Sequence, residues 1–367
     1  MGGARKEYSW ITRKSYASMS SILFLTKGDR NTASSRLRVW QIRDILAPDA
    51  EVIHSIAYAF TDISSARIHM IRRLWQRIRA REIKTLFIHK SLFPWDIVFL
   101  LWVARTALGK RIIFDLDDAE WIHSLHKTHA LMRMADIVFA GSHEIFDYAR
   151  NMKVQQVVLV PTSIDARIYQ KPESIAPPVT IGWIGQGKAH FRQGNFTVLK
   201  SALDKLAERN AALRLVIAGS ENHQPLKDYF KDVRYEVVYI DEADWKDAQT
   251  PSTLIGKYYF DIGVMPLVDS DFNRAKCALK AIEYMASALP VVASRVGEAK
   301  YVVDDGESGF LALTDTEWVS ALERLVGDTE LRARLGDHGR KIVLDRYSLE
   351  AAVSQIQKVV EDPSQKH

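Results

Sequence analysis

The sequence of 367 residues holds one cysteine, Cys277. That excludes an internal disulfide, leaves no cysteine cluster with zinc-ligand spacing, and suits a reducing compartment. Long hydrophobic runs are missing too: the most apolar stretch, Ile97 to Ala104, is too short to span a bilayer. The first twenty residues are basic and Ser-rich without an apolar core of signal-peptide length, so neither export nor a membrane-spanning segment is expected. No low-complexity tract and no Pro- or Gly-rich linker interrupts a composition of 47% hydrophobic and 26% charged residues. Disorder is therefore expected only at the ends.

What is present suffices for two domains, each with its own core. Charge divides unevenly between them. Residues 1–165 hold 24 Lys and Arg against 16 Asp and Glu, a balance of +8, whereas the remainder holds 26 against 29, a balance of −3. A basic first half suits phosphate-rich partners or an anionic membrane face, and Arg67 to Lys84 concentrates that charge beside Ile71, Leu74, Trp75 and Ile78. This segment reads either as an interfacial helix or as a surface helix whose apolar stripe packs on a sheet while its arginines are solvated. No nucleic-acid-binding module is visible, and a basic surface alone is non-specific.

Apolar runs alternate with helical patterns along the chain. Ser21 to Thr26, Glu51 to Ala57, Thr85 to His89, Arg111 to Leu116, Ile137 to Ala140 and Gln156 to Val160 read as strands. Thr180 to Ile184, Arg214 to Ala218, Glu236 to Ile240, Ile262 to Met265 and Pro290 to Ala293 repeat the pattern. The expectation is two doubly wound parallel sheets, with domains at 1–165 and 166–345 and a final helix at 346–367. Pro161, Pro172, Pro177 and Pro178 mark the boundary between the two domains.

The most informative stretch is Arg274 to Glu298. Lys276 and Lys280 stand four apart and Glu283 follows three later, so one helical face would carry two cations and an acceptor. A diphosphate needs the first and a ribose diol the second. Pro290 ends the helix, Val291 to Ala293 suits a parallel strand, and Gly297 would let backbone approach a ligand at the strand's carboxyl end. Taken alone, this is also the pattern of an ordinary amphipathic helix with solvated lysines.

Several segments together resemble the family 4 glycosyltransferases. Besides Lys280-Ala-Ile-Glu-Tyr-Met-Ala-Ser-Ala-Leu-Pro-Val-Val, they are Asp304-Asp-Gly-Glu-Ser-Gly-Phe-Leu311, Ile181-Gly-Trp-Ile-Gly185, Leu215-Val-Ile-Ala-Gly219 and Val160-Pro-Thr-Ser-Ile-Asp165. They span nearly the whole second half; in the first, Ala33 to Arg38 and Asp136 to Ser142 match best. The resemblance implies the GT-B fold, two Rossmann-like domains facing a central cleft, with the last helix crossing back to the first domain. It also implies transfer of a sugar from a nucleoside-diphosphate sugar to a hydroxyl with retention of configuration. The family typically places two glutamates eight positions apart; here the second is Glu283 and the first position is Ala275. That departure leaves the donor sugar to neighbours such as Arg274 and Lys276, or else marks a specialised or disabled site.

Donor contacts are expected from Gly185, Lys188, Arg274, Lys276, Lys280, Glu283, Gly297 and Glu298, with His190 and Arg192 as a fallback for the phosphate loop Gly185-Gln-Gly-Lys188. Lys276 and Lys280 would stabilise the departing diphosphate without a metal. In the first half, Phe114-Asp-Leu-Asp-Asp-Ala-Glu120 sets four carboxylates at a strand end, a costly arrangement unless cations or hydroxyls meet it. Asp117 and Asp118 are read as catalytic-site acceptors for sugar hydroxyls; a metal site and a helix cap with an arginine partner are the other readings. Ser34 and Ser35 are helix-cap candidates. Ser35, Arg36 and His89 are the acceptor-side candidates, with Arg38 as a further cation for an anionic acceptor.

No resident cofactor or metal is expected. The expected partners are a nucleotide-sugar donor, a glycan or lipid-linked acceptor in cell-surface glycan or glycolipid synthesis, and an anionic membrane surface through Arg67 to Lys84. The expected location is the cytoplasm, at the inner membrane face. A non-catalytic nucleotide-sugar-binding partner and a nucleotide-sugar epimerase of similar fold are the competing readings.

Overall fold

Short runs of Ile, Val, Leu and Phe build the centre of each half of this chain. The computed structural model describes residues 21–54, 65–91, 93–173, 177–209 and 211–361. The first half supplies β1 Ile22–Thr26, β2 Val52–His54, β3 Thr85–His89, β4 Arg111–Leu116, β5 Ile137–Ala140 and β6 Val157–Leu159. They pair in parallel in the order β2-β1-β3-β4-β5-β6. Every residue of β1, β3 and β5 is buried, as expected of strands covered by helices on both faces. The expected strand at Glu51 is seen through His54; residues 55–57 lie outside the described residues.

The second half supplies β7 Val179–Ile184, β8 Leu213–Ala218, β9 Glu236–Ile240, β10 Ile262–Met265, β11 Val291–Ser294 and β12 Gly309–Ala312. Their order is β12-β11-β10-β7-β8-β9, again parallel throughout. The α/β class with two parallel sheets is as the sequence reading has it. β12 was not anticipated, because four residues beginning with a glycine are too few to show periodicity; it forms by pairing with β11.

By compactness the chain divides into one unit running to Ser163 and resuming at Leu349, and a second from Ile164 to Ser348. The sequence reading set these boundaries at 165 and 345. Helix Leu349–Glu361 belongs to the first unit, where Leu349, Val353 and Ile356 recur at helical spacing and join Phe24, Ile42 and Phe139 in one core. Burying each such side chain contributes about 1.5–3 kcal/mol as an upper bound. Arg111 Nη1 donates to the Val360 carbonyl at 3.0 Å and Gln355 Nε2 to the Leu159 carbonyl at 2.6 Å, so polar contacts fix the helix as well.

The basic segment forms helix Ser65–Arg79. Met70, Leu74 and Ile78 are buried, so its apolar stripe packs inward while Arg72, Arg73 and Arg79 face outward. The exposed apolar surface lies on a neighbouring helix, Trp95–Thr106. There Trp95, Phe99 and Trp102 are 56%, 60% and 50% exposed, while Ile97, Val98, Leu101 and Ala104 are buried. Arg67 ties the two helices together through Asp96 at 2.6 Å. Among the described residues no helix is long and apolar enough to cross a membrane.

Candidate functional site

In the second unit the strand order reverses between β7 and β10, and ligands of open parallel sheets bind beyond the carboxyl ends at such a switch. After β7 the chain turns at Gly185, with φ of +147°, and enters helix Gly187–Arg192. A Cβ at this position would lie 2.7 Å from Lys280 Cε and 3.1 Å from the Trp183 ring. Only glycine leaves this room beside Lys280. Lys280 Nζ then sits 3.3 Å from His190 Nε2 and 5.5 Å from the centre of the Trp183 ring.

The helix carrying Lys280 is Leu279–Ala286, shorter than the sequence spacing suggested. Ala278 adopts a left-handed conformation, φ 52° and ψ 31°, which separates it from the short helix Asp271–Arg274. Lys276 lies in the intervening loop, so the four-residue spacing from Lys276 to Lys280 is not a helical face. A methyl side chain keeps the cost of this break to roughly 1–2 kcal/mol. No side chain caps the start of Leu279–Ala286, and the helix is anchored by Tyr284, whose hydroxyl oxygen accepts from the Ile184 N–H at 3.0 Å. A helix start of this kind favours an anion.

Around it the expected donor residues divide into two groups. Lys276 Nζ donates to Gln193 Oε1 at 3.3 Å and lies 4.9 Å from the centre of the Phe272 ring. Glu283, three residues beyond Lys280 on the same helix, is buried and accepts from the Tyr169 hydroxyl at 3.2 Å. These two stand with Lys280 and Gly185 near the switch point. Arg274 is exposed and paired with Asp269 at 2.6 Å and Asp271 at 3.2 Å. Lys188 is exposed, and its N–H donates to Glu221 at 2.9 Å. Glu298 is buried beside Gly297. Gly297 has φ of +55°, and a Cβ there would fall 2.3 Å from the Arg274 carbonyl. The glycine thus lets the chain's own backbone approach at Arg274. Ala275, where the resemblance implies a glutamate, is fully buried.

Electrostatics follow from burial. Desolvation lowers the Lys280 pKa, with Glu283 and Cys277 partly opposing it. His190 is buried and its pKa falls well below the usual histidine range, first by desolvation and then by the charges of Lys280 and Lys276. The imidazole is neutral at physiological pH. Sequence reasoning named His190 only as a fallback. It missed Asn195, Gln193 and Tyr169, for which no local pattern gives a signal.

The first unit gathers a second cluster where β1, β3 and β4 end. His89 is fully buried, with Nδ1 2.9 Å from Thr26 Oγ1 and Nε2 3.4 Å from Asp117 Oδ1. Lys90, in left-handed backbone at φ 68°, places Nζ 3.0 Å from Asp117, 2.8 Å from Asp118 and 3.7 Å from Glu120. This ammonium is the cation that the carboxylate run demanded. Burial opposes its charge, but the three carboxylates hold its pKa above the usual lysine range. Asp117 is likewise opposed by burial and held well below the usual range by Lys90, His89 and Arg38. Asp118, half-buried, is pushed up by desolvation and by Asp117.

The loop after β1 departs from its sequence reading. The helix starts at Ala33 after Thr32, so Ser34 and Ser35 lie inside the first turn and do not cap it. Ser35 is buried, its Oγ accepting from the Gly28 N–H at 3.0 Å and from Thr26 Oγ1 at 2.9 Å. Arg36 is half-buried and reaches the Arg30 carbonyl at 3.5 Å. Arg38 is not available to an anionic acceptor: it is 1% exposed, paired with Asp115 and bonded to the Val160 carbonyl at 2.6 Å.

Residues 178–328 match the family model of the Glycosyl transferases group 1. A D-inositol 3-phosphate glycosyltransferase of Corynebacterium glutamicum is 31% identical over 138 residues, covering 36% of this chain and 31% of that protein. The chain spans between 26% and 39% of the length of the first curated relatives it matches. Among solved structures, a sucrose-phosphate synthase of Thermosynechococcus elongatus superposes with a TM-score of 0.69 at 16% identity, covering 93% of this chain and 98% of the other. HepE of Anabaena, solved in complex with UDP and glucose, gives 0.65 at 14% identity, covering 93% and 99%. Over residues 178–328 this chain matches the group 1 glycosyl transferases, and its two parallel sheets are those of the GT-B fold.

Proposed function

We propose that this chain transfers a sugar from a nucleoside-diphosphate sugar to a hydroxyl acceptor with retention of configuration. The observation that carries the reading is the convergence, at the β7 and β10 switch, of Lys280, Lys276 and an uncapped helix start, with buried Glu283 one helical turn beyond Lys280. The lysines would neutralise the departing diphosphate, and this is preorganised electrostatic stabilisation in a desolvated site. Glu283, oriented by Tyr169, would accept from the ribose hydroxyls. Gly185 gives Lys280 its place, Gly297 and Glu298 shape the turn after β11, and Lys188 and Arg274 are assigned to outer parts of the donor. UDP, present in the Anabaena structure, is the first nucleotide to test.

For the acceptor, a glycan or lipid-linked hydroxyl, Asp118 and Arg36 are the more accessible candidates. Asp117, Ser35 and His89 would act from behind them by fixing charge and hydrogen bonds. The exposed aromatic row Trp95, Phe99 and Trp102, beside outward arginines, supports a peripheral contact with an anionic membrane.

The test is release of nucleoside diphosphate from a panel of UDP-, GDP- and ADP-sugars, with and without acceptor extracts. One donor is expected to be turned over by the wild type and not by Glu283→Ala. Binding of a donor with no release under any condition would favour the non-catalytic reading, and no binding at all would remove the proposal.

A further inference from the structure

We infer that Asn195 locks His190 as its Nε2–H tautomer, so that His190 and Lys280 present two adjacent N–H donors to one oxygen of the donor's diphosphate. The inference rests on the donor site proposed above. Asn195 is fully buried, and its amide orientation is fixed from both ends. Its Oδ1 accepts from the Val268 N–H at 2.9 Å and from Asn273 Nδ2 at 3.2 Å, while that same Asn273 nitrogen donates to the Val268 carbonyl at 2.9 Å. Turning the Asn195 amide over would set its NH2 against two donors.

The Asn195 Nδ2 protons therefore go to Gln193 Oε1 at 3.0 Å and to His190 Nδ1 at 3.1 Å. Gln193 is fixed in turn, since the Lys276 ammonium can only donate to it. With Nδ1 accepting, the single proton of the neutral ring resides on Nε2. That nitrogen faces Lys280 Nζ at 3.3 Å, and the ring plane is held by edge packing on Trp183 at 5.1 Å and 67°. Two proton-bearing nitrogens thus stand 3.3 Å apart, and one oxygen accepting from both satisfies them, an anionic oxygen more strongly than a neutral hydroxyl. Asn195 is a positioning residue, acting only through the imidazole.

The full chain labelled with 15N-histidine would be examined by long-range proton–nitrogen correlation at neutral pH. His190 is expected as Nε2–H, with addition of inorganic pyrophosphate shifting Nε2 and leaving Nδ1 nearly in place. A spectrum of the Nδ1–H tautomer, or of the imidazolium, would overturn the lock. In Asn195→Asp a carboxylate faces Nδ1 and the ring is expected to become imidazolium, which the same spectrum reads. Pyrophosphate affinity measured calorimetrically should fall roughly ten- to a hundredfold in His190→Ala and be largely restored in His190→Gln, whose amide still donates. Unchanged affinity in His190→Ala would overturn this inference alone. No pyrophosphate binding by the wild type would overturn the anion role together with the donor site, while the tautomer would still stand or fall by its spectrum.

Discussion

Lys90→Met is the sharpest test of the carboxylate cluster in the first unit. Lys90 is 8% exposed and lies within 3.0 Å of Asp117 and 2.8 Å of Asp118. Removing one partner of a buried ion pair typically costs about 3–5 kcal/mol, because the remaining charge is left without compensation. Methionine fills similar volume, so packing contributes little. In the wild type the folded pKa of Asp117 is depressed, so this group stabilises the fold above the unfolded carboxylate range and loses that contribution as pH falls. In the variant the sign reverses. Burial and the neighbouring carboxylate now favour the protonated form, the folded state binds a proton that the unfolded chain at pH 5–7 does not, and stability rises on acidification. One such proton is worth about 1.4 kcal/mol per pH unit, or about 2.7 kcal/mol from pH 7 to pH 5. Amide hydrogen exchange by mass spectrometry, on peptides from β3 and β4, should therefore show a deficit at pH 7 that shrinks by more than half at pH 5. Peptides from β7 and β8 serve as the unaffected control. A deficit under about 1 kcal/mol, or one equal at both pH values, would refute the assignment of Lys90 as the cation the cluster requires.

Gly185→Ala should lower the melting temperature through a backbone conformation costing about 1–3 kcal/mol and should weaken diphosphate binding by displacing Lys280; a donor affinity equal to wild type would count against the role of that lysine. Because burial lowers the Lys280 pKa, with His190, Glu283 and Cys277 the neighbouring groups, diphosphate affinity should decline with rising pH earlier than an ordinary lysine would dictate. Lys280→Arg should move that decline to higher pH in the same titration, and an identical profile would contradict it. Replacing Trp95, Phe99 and Trp102 together by serine should reduce co-sedimentation with vesicles containing anionic lipid at least tenfold, leaving donor binding intact; undiminished sedimentation would remove the membrane reading.

The sheets were legible because parallel strands buried on both faces are written as short apolar runs, and β3, β4, β5 and β10 have the bounds those runs imply. The site was legible only where it is local. Lys280 and Glu283 share one helix and could be paired by spacing, whereas Lys276 could not, because the left-handed turn at Ala278 leaves no mark in a run of helix-forming residues. Tyr169 meets Glu283 across 114 positions, and the network from Val268 through Asn195 to His190 joins the loop after β10 to the helix and turn after β7. Such contacts exist only once the sheet has brought the strand ends together. The carboxylates at Asp115 to Glu120 announced a need for a cation but not its source; Lys90 follows the adjacent strand, and an ion pair across a parallel ladder has no sequence spacing of its own. Trp95, Phe99 and Trp102 recur at i, i+4, i+7, but apolar residues surround them on Trp95–Thr106, so spacing alone does not say which face lies outward.

Saturation-transfer NMR of the intact chain against UDP-, GDP-, ADP- and CMP-sugars, repeated on Glu283→Ala and Lys280→Ala, bears most directly on the central claim. The account predicts that one nucleotide-sugar class binds the wild type, that Glu283→Ala loses the ribose contacts, and that Lys280→Ala weakens binding by roughly tenfold or more. Binding that survives in both variants would place the donor elsewhere, and binding of none of the donors by the wild type would contradict the assignment of the β7 and β10 switch as a nucleotide-sugar site.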